Sequence, residues 1–328
     1  MTQMTDLLDE EDIIKLIWKK IGSSRKRDPF DDDASWFSNT SEKFVVAKSD
    51  MLVETTDAPR QMSPAQIARK SIISCVSDFA AKGVEPAFCL VSLGLPRKKA
   101  TRKYLNGWVS GFVSVQKEYG LKIIGGDTNA TTTDPVIDCT IFGFSNSMVK
   151  RNGAKPGQLV GVSGSFGHQA AGLLVLLGKA RSRESSFKKR AIDSVLNPRA
   201  RLELGVKASS FLTSCTDSSD GLAISLYHLA ESSRVKFVLD EIPVSPGLEE
   251  FSMDNSMKSS DLALFGGEEF ELVCTFDPKH EKALSQIGIR TIGRAHRLTP
   301  GEKPSVIYSG KKVKRSGWVH FKRKLSST

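Results

Sequence analysis

Two aspartates three residues apart, Asp217 and Asp220, are the first candidates for chemistry in this chain. Ser218 and Ser219 lie between them, and an apolar pattern with helical spacing begins at Leu222. Taken alone, the motif is typical of a helix N-cap, because acidic groups are favourable beside the N–H groups and dipole of a helix start. A functional role therefore needs support from elsewhere in the sequence.

Other carboxylates at element ends and on apolar faces supply that support. They occur at Asp31 to Asp33, Asp50, Asp78 and Asp127. Clustered hard oxygens of this kind are what a divalent cation holding a polyphosphate requires. Each motif alone also fits a solvated loop or turn, so a metal site depends on their meeting in space.

Asp78 lies on the apolar stripe of a predicted helix that starts at the N-cap Ser63 and ends at Gly83. A carboxylate on a buried face must be paired, protonated or bound to metal. We favour metal or an active-site role. Lys82 is the one basic residue three or four positions away, so a salt bridge within the helix stays open.

The totals indicate a soluble globular protein of two domains. The chain has 328 residues, of which 39% are hydrophobic and 26% charged. A polar, basic stretch from Lys150 to Gly157 divides it, so we expect domains at 1–150 and 151–328. No apolar run reaches the ~18 residues of a membrane span, and residues 1–11 are too acidic for a signal peptide, so a cytoplasmic enzyme is expected.

The cysteines and the net charge limit the metal sites and binding partners that we expect. The five cysteines are far apart in apolar contexts, which predicts reduced core residues and no zinc site. The net charge is +10, and the excess is concentrated near the end of the chain. This basic tail lacks interleaved aromatic residues for stacking on bases, so we interpret it as a solvated face that steers anionic substrates.

The elements that must position these residues are strands and helices in alternation. A strand from Phe44 to Ala47 is predicted to end beside Asp50, and Gly126 would let the backbone approach a ligand next to Asp127. Glu268 is placed at the glycine-rich entrance of a later strand. Trp318 fits a final core residue at least as well as a ligand-stacking residue.

Two further segments have weaker signals. The turn from Gly164 to Gly167 joins a strand to a helix and could bind phosphate on its N–H groups, although it matches neither common phosphate motif. A helix is also expected around Pro198 to Leu212.

Seven motifs, in order along nearly the whole chain, resemble the thiamine-monophosphate kinases of the PurM-like (aminoimidazole-ribonucleotide synthetase) superfamily. The resemblance implies an α/β, two-domain PurM-like fold, with an N-terminal mixed β-sheet domain carrying helices on one face and a C-terminal α/β domain. It also implies homodimers that complete the ATP site. The motifs are Asp33, Ser49-Asp50, Ser77 to Ala81, Gly126 to Thr128, Asp217 to Leu222, Gly266 to Glu269 and Gly317 to Phe321.

The resemblance assigns roles by position. The residues that match the family's magnesium ligands are Asp33, Ser49, Asp50, Asp78, Asp127, Asp217 and Asp220. ATP contacts are implied at Tyr104, Gly126, Arg151 and Ser219, and thiamine-phosphate contacts at Glu268 and Trp318.

The chain departs from the family pattern in places that bear on the site. Many members have two threonines where this chain has Lys48 and Ser49, and we expect Lys48 to offer only its backbone carbonyl. Asp57 stands where many members have a substrate-contacting histidine, and is assigned to the substrate for that reason. The surrounding pattern looks like the archaeal branch.

The implied reaction is transfer of the γ-phosphoryl group of ATP to thiamine monophosphate with Mg²⁺, by direct in-line attack and without a covalent phosphoenzyme or a protein general base. Two alternatives stay open: another PurM-like ATP user, such as a ring-closing synthetase or a hydrogenase-maturation dehydratase, and a non-catalytic nucleic-acid-binding protein. We expect no membrane partner and no nucleic-acid partner.

Overall fold

A computed structural model describes residues 12–14, 16–17, 32–38 and 44–318. Residues 12–14 and 16–17 are helical, and the other residues of the amphipathic segment from Leu7 to Ile21, whose sequence pattern predicts a helix, lie outside the described residues. Asp31, the ending Val319-His320-Phe321 and the last basic residues also lie outside them. No helix of the described part is long and apolar enough to cross a membrane.

The first half of the chain forms a six-stranded mixed sheet. Its order is β1-β2-β6-β3-β4, and β5 pairs with the second part of β3. Strands β4 and β5 run parallel to β3, and the other pairs are antiparallel. The strands are β1 (Ser35–Ser38), β2 (Phe44–Val53), β3 (Pro86–Pro96), β4 (Lys122–Gly125), β5 (Thr128–Thr131) and β6 (Val136–Ser145).

Helices cover one face of this sheet: α1 (Glu54–Asp57), α2 (Pro64–Lys82) and α3 (Arg102–Tyr119). Helix α2 begins with a capping box between Ser63 and Gln66 and ends at Gly83 with φ 65°, so both predicted caps are confirmed. Helices α2 and α3 touch closely, because a Cβ at Gly111 would lie 2.2 Å from the carbonyl oxygen of Ala65. The opposite face of the sheet is exposed.

The second half forms a seven-stranded sheet with the order β13-β12-β9-β11-β7-β10-β8. All pairs are antiparallel except β12 with β9. The strands are β7 (Leu159–Val162), β8 (Leu212–Asp217), β9 (Lys236–Leu239), β10 (Leu272–Phe276), β11 (Arg290–His296), β12 (Ser305–Tyr308) and β13 (Lys311–Lys312).

The helices of this half are α4 (His168–Leu176), α5 (Ser185–Leu196), α6 (Leu202–Ala208), α7 (Leu222–Ser233), α8 (Leu248–Asp254), α9 (Ser259–Phe265) and α10 (Glu281–Gln286). Short 3₁₀ turns occupy Arg97–Lys99, Ser209–Phe211 and Pro278–His280. The predicted mixed α/β fold with two sheets is thus confirmed.

One helix joins the two halves. Helix α2 packs against β2 and β6 on one side and against β8, β10 and α6 on the other. A Cβ at Gly205 of α6 would lie only 2.0 Å from the carbonyl oxygen of Ala80, so the two backbones are in contact. A single hydrophobic cluster therefore contains residues of both sheets. The predicted domain division at 150/151 falls between the two sheets. Because one hydrophobic core includes residues from both sides of it, the division stays a prediction.

Two local expectations are wrong, and one of two alternatives is excluded. Strand β2 continues to Val53 instead of ending near Asp50, because its whole length pairs with β6. The helix expected around Pro198 to Leu212 shortens to Leu202–Ala208. Trp318 is 50% exposed and is not a core residue. All five cysteines, in contrast, are buried and unpaired, as predicted.

Candidate active site

Three aspartates from different elements meet between the two halves. Asp33 precedes β1, Asp78 lies on α2 and Asp217 ends β8. Each offers a carboxylate oxygen within 4.8 Å of the others, and all three are buried. We call Asp33, Asp78 and Asp217 the aspartate cluster. Packing of α2 against β8 brings its members together.

Asp33 is surrounded by positive charge and donors. Its Oδ1 accepts hydrogen bonds from Arg151 Nε at 2.6 Å and Thr216 Oγ1 at 2.7 Å, and its Oδ2 lies 2.5 Å from Lys82 Nζ. Burial pushes the pKa of Asp33 upward, but the charges of Arg151 and Lys82 outweigh it and hold that pKa well below its usual value. Asp33 is therefore ionised.

The other two carboxylates have fewer charged partners. Lys48 Nζ lies 2.9 Å from Asp78 Oδ2, and the Ser77 hydroxyl donates to Asp217 Oδ2 at 2.7 Å. Burial raises the pKa of Asp78 well above its usual value, and burial followed by the charge of Asp33 raises the pKa of Asp217 to about 6. This part of the cluster is short of positive charge.

The cluster fits a hard divalent cation. Its ligand atoms are all carboxylate oxygens, they converge from three elements, and the raised pKa values of Asp78 and Asp217 show that further positive charge would stabilise them. Magnesium prefers such oxygen ligands, so the observed donor set agrees with the sequence-based expectation of Mg²⁺.

The ion pairs of the cluster differ from those considered from sequence. Lys82 was the one possible partner of Asp78 within its helix, but it binds Asp32, Asp33 and the carbonyl oxygen of Cys215. Asp78 pairs instead with Lys48, whose side chain we did not expect to take part. Periodicity within one helix cannot reveal a partner on a neighbouring strand.

A second group of predicted residues assembles where three loops meet. The segment between β8 and α7 contacts the loop before β10, because Glu268 N donates to Ser219 O at 2.6 Å. Trp318 N donates to Asp220 O at 2.8 Å. We call Ser219, Asp220, Glu268 and Trp318 the loop cluster.

Backbone hydrogen bonds hold the loop cluster in an unusual conformation. Glu268 and Phe270 adopt positive φ angles of 64° and 52°, which are rare for residues with a Cβ. The bond from Glu268 N to Ser219 O, and that from Phe270 N to Ser218 O at 3.0 Å, fix this conformation. Such local strain is common at ligand sites.

Lys70 connects the loop cluster to the first half of the chain. Its Nζ lies 2.6 Å from Glu268 Oε1 and donates to the carbonyl oxygen of Asp57 at 2.5 Å. The Asp57 carboxylate accepts a hydrogen bond from Val53 N at 2.7 Å. Two residues assigned to the substrate therefore lie on either side of one buried ammonium group, which the sequence analysis did not identify.

The remaining predicted magnesium ligands lie outside the aspartate cluster. Neighbouring residues of a strand point to opposite faces, so Asp50 shares the inner face of β2 with Lys48, and Ser49 faces outward. There its hydroxyl bonds Thr140 Oγ1 at 2.9 Å. Asp127 is exposed, and Asp220 belongs to the loop cluster.

The predicted ATP contacts have these surroundings. The Tyr104 hydroxyl donates to Glu54, with the ammonium of Lys99 5.2 Å from the ring centre. Gly126 lies against β3 so tightly that a Cβ would be 1.8 Å from the carbonyl oxygen of Val91. Arg151 is held at Asp33, and Ser219 is exposed.

The starts of helices α7 and α4 differ from what the sequence analysis considered. Helix α7 is capped by Gly221 without a side-chain bond, so the N-cap interpretation of Asp217 and Asp220 is wrong. At α4, Glu269 accepts hydrogen bonds from Gly167 N at 2.5 Å and Gln169 N at 3.2 Å. The Glu269 carboxylate thus occupies the backbone N–H groups that the sequence analysis considered as a phosphate site. Burial raises the pKa of Glu269 to about 8.

The fold and site define an AIR synthase-related α/β enzyme. Residues 31–145 match the family model "AIR synthase related protein, N-terminal domain". A protein of Nitrosopumilus maritimus named thiamine-monophosphate kinase is 36% identical over 326 residues, which cover 96% of this chain and 99% of the relative. A protein of the same name from Pyrococcus abyssi is 35% identical, covering 95% and 96%. The chain belongs to the thiamine-monophosphate kinase family.

Solved structures agree with this assignment. One described as AaThiL complexed with AMPPCP and TMP superposes with a TM-score of 0.85 at 29% identity, covering 97% of this chain and 100% of that one. The Aquifex aeolicus thiamine monophosphate kinase gives 0.81 at 27% identity, covering 95% and 99%. A HypE–HypF complex matches at 0.71 but only 16% identity, which shows a shared fold alone. These findings favour neither alternative function.

Proposed function

We propose that this chain transfers the γ-phosphoryl group of ATP to thiamine monophosphate and releases thiamine diphosphate. Family membership supports the reaction. Among this chain's own residues, the convergence of Asp33, Asp78 and Asp217 on one point is the observation that supports the proposal. The relative bound to AMPPCP and TMP has the same fold over nearly the whole chain.

The chemistry requires alignment and charge neutralisation more than proton transfer. The acceptor phosphate is already an anion, so it can attack the γ-phosphorus directly without a general base. The aspartate cluster would hold magnesium, which neutralises the repelling phosphate groups. Ser49, Asp50, Asp127 and Asp220 lie outside the cluster and are proposed as ligands of further magnesium ions. Arg151 and Lys82 keep Asp33 ionised and so ready to bind a cation.

We assign the substrates to the loop cluster and to residues from both halves of the chain. Glu268, Trp318 and Asp57 are proposed to contact thiamine monophosphate. The ion pair with Lys70 holds the Glu268 carboxylate in position. Tyr104, Gly126, Arg151 and Ser219 are proposed to contact ATP. The half-exposed indole of Trp318 supports this assignment, because an exposed aromatic ring beside a polar loop can stack on a ligand ring.

The exposed face of the first sheet supports a homodimer. Met51 is 60% exposed and Phe144 48%, and Phe88 packs edge-on against Phe144 with ring centres 6.3 Å apart. An antiparallel sheet face in contact with water normally carries polar side chains, so this apolar one indicates a protein partner. We propose that a second copy covers it, with Ser49 at the interface.

Substitution of Phe144 by lysine should turn the dimer into a monomer, as measured by light scattering after gel filtration. Met253→Lys is the matched control, because Met253 is 72% exposed on α8 in the other half. A monomeric wild-type chain, or a dimeric Phe144→Lys variant, would contradict this interface.

We also propose a cytoplasmic location and the domain division at 150/151. The five buried, unpaired cysteines are typical of a reducing compartment. The two sheets lie on either side of residue 150, which supports two structural units even though they share a core.

The decisive assay incubates the purified chain with MgATP and thiamine monophosphate and detects thiamine diphosphate by chromatography. We expect product that depends on all three components, and we expect Asp217→Asn to lower kcat by about 10³-fold or more. ADP formed from the complete mixture without any thiamine diphosphate would mean that the phosphoryl group goes to water or to another acceptor, and would contradict the proposal.

A further inference from the structure

Lys48 places a fixed positive charge directly on the aspartate cluster. Its Nζ lies 2.9 Å from Asp78 Oδ2, and its side chain is 26% exposed. Strand β2 aims it there, because Lys48 pairs with Ile141 of β6 and shares the inner face with the buried Val46 and Leu52. The contact therefore follows from the register of the sheet.

The three carboxylates of the cluster are compensated in different ways. Asp33 has two basic partners, and both come from outside β2. Asp217 has a neutral donor, the Ser77 hydroxyl. Asp78 has one ammonium group, from Lys48. A divalent cation that engaged Asp78 would have to displace this ammonium group or lie beside it, and two positive charges at such distances repel strongly in a buried site.

We propose that Lys48 is a tethered cation that takes the place of one divalent ion at Asp78. It makes the cluster stable without metal and directs divalent ions toward the remaining oxygens. The inference rests on the proposed metal-assisted function and deepens it, because it identifies a residue that sets how many ions this chain binds and how tightly.

The test compares wild-type protein with Lys48→Met, which removes the charge and keeps most of the stem. Mn²⁺ binding to the metal-stripped proteins is measured by titration calorimetry and by electron paramagnetic resonance, without nucleotide. We expect Lys48→Met to bind one more ion per chain, or the same ions at least about tenfold more tightly. Its melting temperature without metal should fall by several degrees and recover when Mn²⁺ is added.

Two controls separate charge from packing. Lys48→Arg keeps the charge and should retain the Mn²⁺ stoichiometry and affinity of the wild type. Lys236→Met removes a strand lysine that pairs with Glu302 at 2.7 Å outside the site, and should leave Mn²⁺ binding unchanged. The proposal is overturned if Lys48→Met binds Mn²⁺ with the wild-type stoichiometry and affinity.

A double variant covers the case in which Lys48→Met does not fold. Lys48→Met with Asp78→Asn removes both charges of the pair, so it should fold without metal and lack the additional Mn²⁺ binding. Failure of this double variant to fold, or its retention of the extra binding, would contradict the proposal. These measurements use protein and Mn²⁺ alone. A negative kinase assay would therefore count against the proposed function and leave this result standing.

Discussion

The aspartate cluster in the core and Asp127, in the exposed segment between β4 and β5, carry the same functional group in opposite surroundings. Asp33 is enclosed and held by Lys82, Arg151 and Thr216, so its charge is part of the folded structure. Asp127 is exposed, and its described backbone contact is the bond from Leu93 N to its carbonyl oxygen. A buried carboxylate such as Asp33 thus contributes to stability as well as to the proposed chemistry, whereas an exposed one can bind a ligand with little effect on folding.

The largest effect expected from this comparison is on Asp33. Asp33→Asn removes the carboxylate that Lys82 and Arg151 share and leaves Lys82 with Asp32 alone, so the free energy of unfolding should fall by about 3 kcal/mol. Urea denaturation measures this loss, and the kinase assay should show loss of activity as well.

Asp127→Asn is the matched exposed variant. It should lower activity, while its free energy of unfolding changes by no more than ~0.5 kcal/mol. Equal destabilisation by the two substitutions would break the distinction between the buried and exposed carboxylates.

A second, smaller effect concerns Glu269, a partly buried carboxylate that accepts hydrogen bonds from backbone amides. Glu269 accepts hydrogen bonds from two backbone amides, and burial raises its pKa from the ordinary 4.5 to about 8. The folded state keeps this proton at pH values where the unfolded chain has lost it. The stabilising contribution is therefore complete below about pH 4.5 and is lost as the pH rises to about 8.

Glu269→Gln should remove this pH dependence. The wild type should lose of order 3 kcal/mol relative to the variant between pH 5 and pH 8.5, as urea denaturation across that range measures. Parallel stability curves for the two proteins would mean that Glu269 is ionised in the folded state, and that buried carboxylates here do not need a basic partner.

The smallest effect is expected for Lys70, which connects the loop cluster to the first half of the chain. Lys70→Met removes the ammonium group between Glu268 and the Asp57 carbonyl, so Glu268 should lose its fixed position. We expect a KM for thiamine monophosphate several-fold higher, with kcat less affected, and a stability loss of about 1–2 kcal/mol.

Lys207→Met provides the reference for Lys70. Lys207 pairs with Glu203 on the surface of α6, where such pairs contribute little, so this substitution should change neither KM nor stability measurably. A Lys70 variant with unchanged KM would show that the loop cluster holds its own geometry without the first half.

The sequence was sufficient for features that depend on local chemistry. The bounds of α2 were predictable because Ser63, Pro64 and Gly83 are strong capping signals, and the face of Asp78 followed from helical periodicity. The full length of β2 was not predictable, since Lys48, Ser49 and Asp50 interrupt its apolar pattern and only pairing with β6 extends it.

The members of the aspartate cluster could be predicted from sequence, but not its charge balance. All three carboxylates were expected to bind metal, and they converge. Their basic partners could not be inferred, because Arg151 lies 118 residues from Asp33 and Lys48 lies on a different element from Asp78. Such pairs depend on tertiary packing, which residue spacing does not encode.

Helix α2 is buried by both sheets, and this has a consequence for synthesis on the ribosome. The ammonium group of Lys82 donates to the carbonyl oxygen of Cys215, 133 residues later in the chain, and α6 presses its backbone onto Ala80. A nascent chain that has passed only residue 150 therefore holds an apolar helix with one side exposed and a lysine without its final partner. That side of α2 stays uncovered until α6 and β8 have been synthesised, so we expect a truncated N-terminal half to be a substrate for chaperones and proteases.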